Sequence, residues 1–186
     1  PANLLLSSQG CLKVTDFGLS SNHRHISGGD GSWVMTGRTG TIRYMAPEAM
    51  KVDKSGNSSY NEKVDCYSAA MILWYMCMAD APFGNLSADL IMQGAASGLR
   101  PDLSSIRRRH GAQMADTIEQ GWEADPAKRS SAETMLECMR EHLESLEAAK
   151  AQRRLPSLRH SSLLKWASSA DRKSTRLNSS HSSVSR

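Results

Sequence analysis

Residues 69–79, AAMILWYMCMA, form the longest apolar run in the chain. A bilayer span takes about 20 such residues. The run therefore predicts no membrane span but a helix over 64–78 that other elements bury on all sides. A chain of 186 residues is long enough for one domain with a real core around it. The cover is legible nearby. A helix over 87–96 opens with Ser87 as its cap and turns Leu90 and Ile91 inward. A helix over 110–123 puts Met114, Thr117, Ile118 and Trp122 near one face. A third, over 130–150, starts at Ser130 with Glu133 three residues on, as in a capping box, and carries Met135, Leu136, Met139, Leu143 and Leu146 as a stripe. At the amino end, Leu4-Leu5-Leu6 and Leu12-Lys13-Val14 flank the turn-forming Ser7-Ser8-Gln9-Gly10, which predicts a hairpin. The expected fold class is mainly α, with one short β-hairpin at the N-terminus.

Two stretches have no period. Residues 20–40 are rich in Ser, Gly, His and Thr and read as a long loop, a length that in a compact domain points to function or disorder. Beyond Pro156 the chain turns Ser-rich and basic, and disorder is expected. The charge follows this division. Residues 153–186 carry eight Lys/Arg and one acid, so the formal net charge of +4 belongs to the tail and residues 1–152 are slightly acidic. That balance argues against a nucleic-acid surface. Cys11, Cys66, Cys77 and Cys138 are scattered, with no CxxC and no zinc-spaced histidines, which favours reduced, buried thiols and a cytosolic or nuclear setting. No leader opens the chain, although a start at Pro1 leaves an upstream one open.

Asp16 poses the chemical question. In LKVTDFGLSS, residues 12–21, a carboxylate ends an apolar strand and is followed at once by Phe17 and Gly18. Such a charge costs desolvation energy unless it caps a turn or holds a cation. Asn3, Asp16-Phe17-Gly18 and Ala46-Pro47-Glu48 stand in the order of the protein-kinase signature set, and the likeness continues through GTIRYMAPE (40–48), VDCYSAAMILW (64–74), APFGN (81–85), GLRPDL (98–103) and WEADPAKRS (122–130). Over roughly residues 1–146 the chain resembles the carboxy-terminal lobe of eukaryotic protein kinases, with the amino-terminal lobe missing. The wording of TGTIRYMAPE and GLRPDL is most similar to the tyrosine-kinase-like serine/threonine group, which includes Raf-like and mixed-lineage kinases.

The resemblance implies roles. Asn3 closes the catalytic loop, and Asn3 and Asp16 supply oxygens to Mg²⁺, a hard cation that combines one or two protein groups with substrate phosphates. With Phe17 and Gly18 they form the ATP-binding set; Gly18 gives the backbone freedom that lets Phe17 move between packed states. Thr41 contacts the catalytic Asp, and residues 20–40 become the activation segment, with Thr36 and Thr39 as candidate phosphosites for an upstream kinase or for autophosphorylation. A solvated loop hydroxyl is the bland alternative for both, and more so for Ser27 and Ser32. Glu48 and Arg129 are implied to form a buried ion pair. The partner is a protein substrate. The catalytic Asp of the family, five residues before Asn3, falls ahead of Pro1, as do the glycine-rich loop, the strand lysine and the helix glutamate. The expectation is a fragment that is inactive by itself. Ala69-Ala70 departs from the family's Phe-Gly.

Other features have plain explanations. His23 and His25 are loop residues, and Arg107-Arg108-Arg109 reads as a solvated turn before a helix. Residues 171–181, DRKSTRLNSSH, resemble the translation of a widely used sequencing adapter and are set aside from fold reasoning. The expected layout is a partial kinase domain over 1–150, a basic linker over 151–170 and an adapter-derived tail over 171–186. Two functions stay open: a serine/threonine kinase lobe, and a pseudokinase or scaffold that binds partners without catalysis. An unrelated helical binding domain is the third.

Overall fold

A computed structural model describes residues 2–18, 20, 41–154 and, as backbone, 33–36. Its elements are β1 (Leu4–Leu6), β2 (Leu12–Val14), β3 (Trp33–Thr36), a 3-10 turn (Ile42–Tyr44), α1 (Pro47–Met50), β4 (Asn57–Tyr60), α2 (Lys63–Met78), α3 (Ala88–Ala96), α4 (Ser104–His110), α5 (Ala112–Gly121) and α6 (Ala132–Arg154). The chain divides within α6 into a unit of Pro1–His142 and a second of Leu143–Arg186. In the second unit the described residues, 143–154, continue the helix with Leu143 and Leu146 exposed.

The amino-terminal hairpin is antiparallel, with Leu4 opposite Val14 and Leu6 opposite Leu12. Its turn closes through the Ser7 carbonyl, which accepts from the Gly10 amide at 2.9 Å, with Gly10 in the left-handed region that costs glycine least. A second ribbon pairs β3 with β4, Trp33 opposite Tyr60 and Thr36 opposite Asn57. The period-free loop expected over 20–40 therefore contains a strand. Its partner lies more than 20 residues away, and no local pattern announces such pairing.

Helix α2 is the centre of the main core. Tyr67, Ala70, Met71 and Trp74 pack with Ile106 of α4, with Met114, Ala115 and Ile118 of α5, and with Trp122 and Met135. The Asn61 side-chain oxygen accepts from the Lys63 amide, and Ala79 ends the helix in the left-handed conformation. The helix is not buried on all sides: Ala69 is exposed, and Met76 lies on a face with 59% exposure. Four further expectations are corrected. Residues 104–110 form a helix in place of a solvated turn, because Ile106 is buried and Arg107 pairs with Asp116 at 2.7 Å. The helix expected over 110–123 is α5 alone, since Gly111 at φ 92 breaks the chain between α4 and α5. Ser131, not Ser130, caps α6 by accepting from the Thr134 amide, and the Ser130 hydroxyl turns to Gln120. Leu90 and Leu136 face outward, as do Leu143 and Leu146 of the expected stripe; Ile91, Met135 and His142 are the buried ones. Helix α6 continues through Arg154, four residues into the stretch expected as a linker from 151; the rest of that linker and the adapter-like tail lie outside the described residues.

A smaller cluster joins Met45, Ala49, Met50 and Ala95, flanked by Ile42, Tyr60, Val64 and Met92. It seats α1 against α3, with Pro47 at the first turn of α1, where a missing N–H is harmless.

Candidate functional site

The hairpin brings Asn3 and Asp16 together. The Thr15 amide donates to the Asn3 carbonyl at 2.9 Å, which extends the ladder one step past the strands. At its end the Asn3 side-chain amide donates to Asp16 Oδ2 at 3.3 Å. Both residues are exposed. Asp16 sits at φ 62, the left-handed region that non-glycine residues seldom occupy but Asp and Asn tolerate best. Gly18 then crosses close by: a Cβ there would lie 3.4 Å from Asp16 Oδ1. Phe17 projects with 67% exposure, while its carbonyl accepts from the Ser20 amide and hydroxyl. The donor set suits a hard cation in kind. It offers carboxylate oxygens and one amide oxygen; among the described residues no group of three or more His, Cys, Asp or Glu side chains is gathered to hold a metal.

Thr41 precedes the 3-10 turn in extended conformation, and its hydroxyl makes no capping bond. Thr36 ends β3, whereas Thr39, Ser27, Ser32, His23 and His25 lie outside the described residues. The structure brings Glu48 and Arg129 together across 81 positions: Nη1 donates to Oε1 at 2.6 Å and Nη2 to Oε2 at 3.1 Å, with the Arg129 side chain fully buried and that of Glu48 16% exposed. Arg129 also donates from Nε to the Glu123 carbonyl at 2.9 Å and from Nη1 to the Lys63 carbonyl at 2.8 Å. The fork geometry of guanidinium permits this set, and an ammonium could not reproduce it.

Sequence reasoning missed three further polar residues, Arg43, Arg100 and Tyr67, the last of which lies beside Arg129. Arg43 holds the 82–86 loop by donating to the Pro82 and Gly84 carbonyls at 2.7 Å each. Arg100 donates to the Trp122 and Ala95 carbonyls at 3.0 Å each. The guanidinium carbons of Arg100 and Arg129 lie 5.0 and 5.2 Å from the centre of the Tyr67 ring, within cation–π range. Burial pushes the Tyr67 phenol up to about 12, against the lowering effect of Arg100 and Arg129. Of the four thiols expected to be buried only Cys66 is, with Cys77 and Cys138 half-buried and Cys11 exposed on the hairpin; burial raises the thiols of Cys66 and Cys77, which lowers their reactivity. None of these has a local sequence signal. A cleft of about 480 Å³ lies between α1 and α3, lined by Pro47, Met50, Lys51, Asp89 and Met92; neither Asn3, Asp16 nor Thr41 borders it.

The family model described as "Protein kinase domain" matches residues 1–139. The chain belongs to the protein kinase family. Relatives include the serine/threonine-protein kinase VIK of Arabidopsis thaliana, 37% identical over 133 residues, which cover 70% of this chain and 28% of the relative. The serine/threonine-protein kinase CTR1 of the same plant is 33% identical over 145 residues, 77% of this chain and 16% of the relative. The proto-oncogene serine/threonine-protein kinase mos of Sus scrofa is 31% identical over 146 residues, 73% and 38% respectively. The chain thus spans well under half the length of these curated relatives. Among the described residues no helix is long and apolar enough to cross a membrane.

Proposed function

We propose that this chain is the carboxy-terminal lobe of a serine/threonine kinase which, joined to the rest of its kinase, transfers the γ-phosphoryl group of MgATP to Ser or Thr hydroxyls of protein substrates. The carrying observation is the Asn3–Asp16 pair at the open end of the hairpin, 3.3 Å apart, with Asp16 in left-handed backbone. Strain of that kind gathers at functional sites. Asn3 and Asp16 would hold Mg²⁺, which supplies neutralisation of phosphate charge when bound. Gly18 allows the close backbone passage beside Asp16, and Phe17 offers its exposed ring to a surface outside the described residues. Thr41, its hydroxyl free of capping, is assigned to contact the catalytic carboxylate of the kinase. Glu48 and Arg129 anchor the segment after Thr41, on which a substrate peptide rests.

The kinase domain is assigned to residues 1–150, with a basic linker over 151–170 and an adapter-derived tail over 171–186. The hairpin supports the view that this lobe works as part of a larger body: Leu5, Leu6, Leu12 and Val14 are all at least half exposed, Leu6 at 72%. Four apolar side chains so arranged call for a covering surface. The four free thiols fit a cytoplasmic setting. In the kinase assembled with its remaining lobe, Asp16→Ala abolishes turnover; near-normal activity in that variant would refute the metal role. The chain by itself shows no MgATP binding in a calorimetric titration at micromolar concentration. Phosphorylation of Thr36 or Thr39 adds roughly −1.5 to −2 charges and orders the segment. Full activity of the doubly Ala-substituted kinase, with an unmodified loop by mass spectrometry, overturns that part.

A further inference from the structure

The ribbon of β3 and β4 joins residues 33–36 to the helical part of the fold. Within β4, side chains alternate in burial: Ser58 is buried at 4% exposure and Tyr60 is half-buried, while Ser59 is exposed. Tyr60 packs on the cluster that holds Met45, Ala49 and Met50. The face of β4 bearing Ser58 and Tyr60 is thus its α1-facing side. The Ser58 hydroxyl has one proton and two carbonyls within reach, that of Ala49 at 3.2 Å and that of Lys51 closer still. These belong to the last turn of α1 and its cap, where a short helix has no internal donors left. Ser58 is therefore both an inward residue of the ribbon and the side-chain donor that completes the end of α1.

We propose that Ser58 is a positioning residue that couples the strand at 33–36 to the helix carrying Glu48. The connection runs in steps. Residues 33–36 pair in register with 57–60, Met35 opposite Ser58. Ser58 ties β4 to α1, and Glu48 of α1 is held by Arg129, which also donates to the Lys63 carbonyl at the start of α2. Two strands alone are marginal in water. The ribbon keeps its place because one of its strands is fastened to a helix that the core fastens in turn. The consequence for phosphorylation, which rests on the reading of 20–40 as the activation segment, is that the ribbon sets where Thr36 is presented.

Hydrogen exchange on the full 186-residue chain tests the coupling without ATP or activity, so it stands or falls apart from the kinase assignment. In the unaltered chain those amides of 33–36 and 57–60 that bond across the ribbon, every second one on each strand, are expected to be protected. In Ser58→Ala, exchange at 33–36 is expected to rise by roughly tenfold while α2 and α5 keep their protection, in line with the loss of one buried hydroxyl donor. Ser58→Thr keeps the hydroxyl and is expected to retain protection at 33–36. Ser55→Ala, at an exposed loop position, leaves it unchanged. The proposal is overturned by fast exchange at the ribbon-bonded amides of 33–36 in the unaltered chain, by unchanged exchange there in Ser58→Ala, or by equal loss in the Thr and Ala variants.

Discussion

The Glu48–Arg129 pair and the Asn3–Asp16 pair each join the side chains of two motif residues, and they are opposites. Arg129 is fully buried and makes four hydrogen bonds, two of them to a carboxylate and two to backbone carbonyls. Asn3 and Asp16 are exposed and share one bond of 3.3 Å. A buried charge has to be satisfied inside its own fold, because water cannot complete it. An exposed carboxylate has no such need and can be left with open oxygens. The first pair is finished chemistry and holds the lobe together. The second is unfinished, and that leaves it able to take a ligand.

The sharpest way to break this contrast is to remove the finished half. Arg129→Ala strands Glu48 and leaves the Glu123 and Lys63 carbonyls without their donor; a loss of about 3–5 kcal/mol is expected in urea unfolding. Arg129→Lys recovers little of it, since one ammonium cannot serve three separated acceptors in the guanidinium plane. A loss below about 1 kcal/mol for Arg129→Ala would place the pair among ordinary surface ion pairs.

The next effect tests the apolar side of the same core. A Cβ on Gly121 would lie 2.8 Å from the Ala70 Cβ and 2.9 Å from Met135 Cε. The methionine tip can shift, but the Ala70 methyl is fixed to the backbone of α2. Gly121→Ala gains up to about 1 kcal/mol of helix propensity, and overpacking costs about 1–3 kcal/mol. A net loss of roughly 1–2 kcal/mol is expected, with Ala70→Gly restoring part of it in the double variant. Ala70 stands where kinases usually carry Gly. The absent side chain at 121 gives its methyl room. A stable Gly121→Ala protein that needs no compensation at 70 would show that the helices separate freely.

What could be read in advance divides along the same line. The 64–78 helix and the Ser87 cap follow from contiguous residues, and the hairpin from two apolar triplets around a turn. Asn3, Asp16 and the Glu48–Arg129 pair were reachable only through the motif resemblance, because no period links positions 13 or 81 residues apart. Helix α4 was hidden by Arg107-Arg108-Arg109, a run that looks solvated; only Ile106 is buried in it. Strand β3 was hidden because its pairing with β4 is non-local. The Arg100–Tyr67–Arg129 cluster was invisible for the same reason, as its three residues come from different elements.

Tyr67 offers a smaller effect with a definite sign. Its ring is fully buried and its hydroxyl has no hydrogen-bond partner among the described residues. Such a group costs about 1–3 kcal/mol, so Tyr67→Phe is expected to raise stability by about 1 kcal/mol while keeping the ring under both guanidinia. The pH response follows from linkage. In the folded lobe the phenol ionises only at about 12, against 10.0 for an ordinary tyrosine. Between those values the unfolded chain has released a proton that the folded chain still holds, so stability falls as pH rises through that window. Tyr67→Phe should flatten the decline, leaving the weaker share from Tyr44 and Tyr60, whose phenols burial also raises. An unchanged slope in thermal melts across that range would show the hydroxyl to be hydrated in solution.

The smallest expected effect is the one that completes the contrast. Asp16→Asn removes the charge from an exposed position that makes a single weak bond, and Asn accepts left-handed backbone about as well as Asp does. Its cost in unfolding should stay within about 0.5 kcal/mol, the ordinary range for surface substitutions. Asp16→Ala differs, because alanine has no local polar contact to offset φ 62 and should cost up to about 1 kcal/mol more. Comparing the two separates the backbone strain from the carboxylate. If the carboxylate is there for a cation, both variants lose turnover equally in the assembled kinase, although only one of them disturbs the hairpin. An Asp16→Asn protein destabilised by more than about 1 kcal/mol would mean that the carboxylate serves the fold after all, and the two pairs would no longer be opposites.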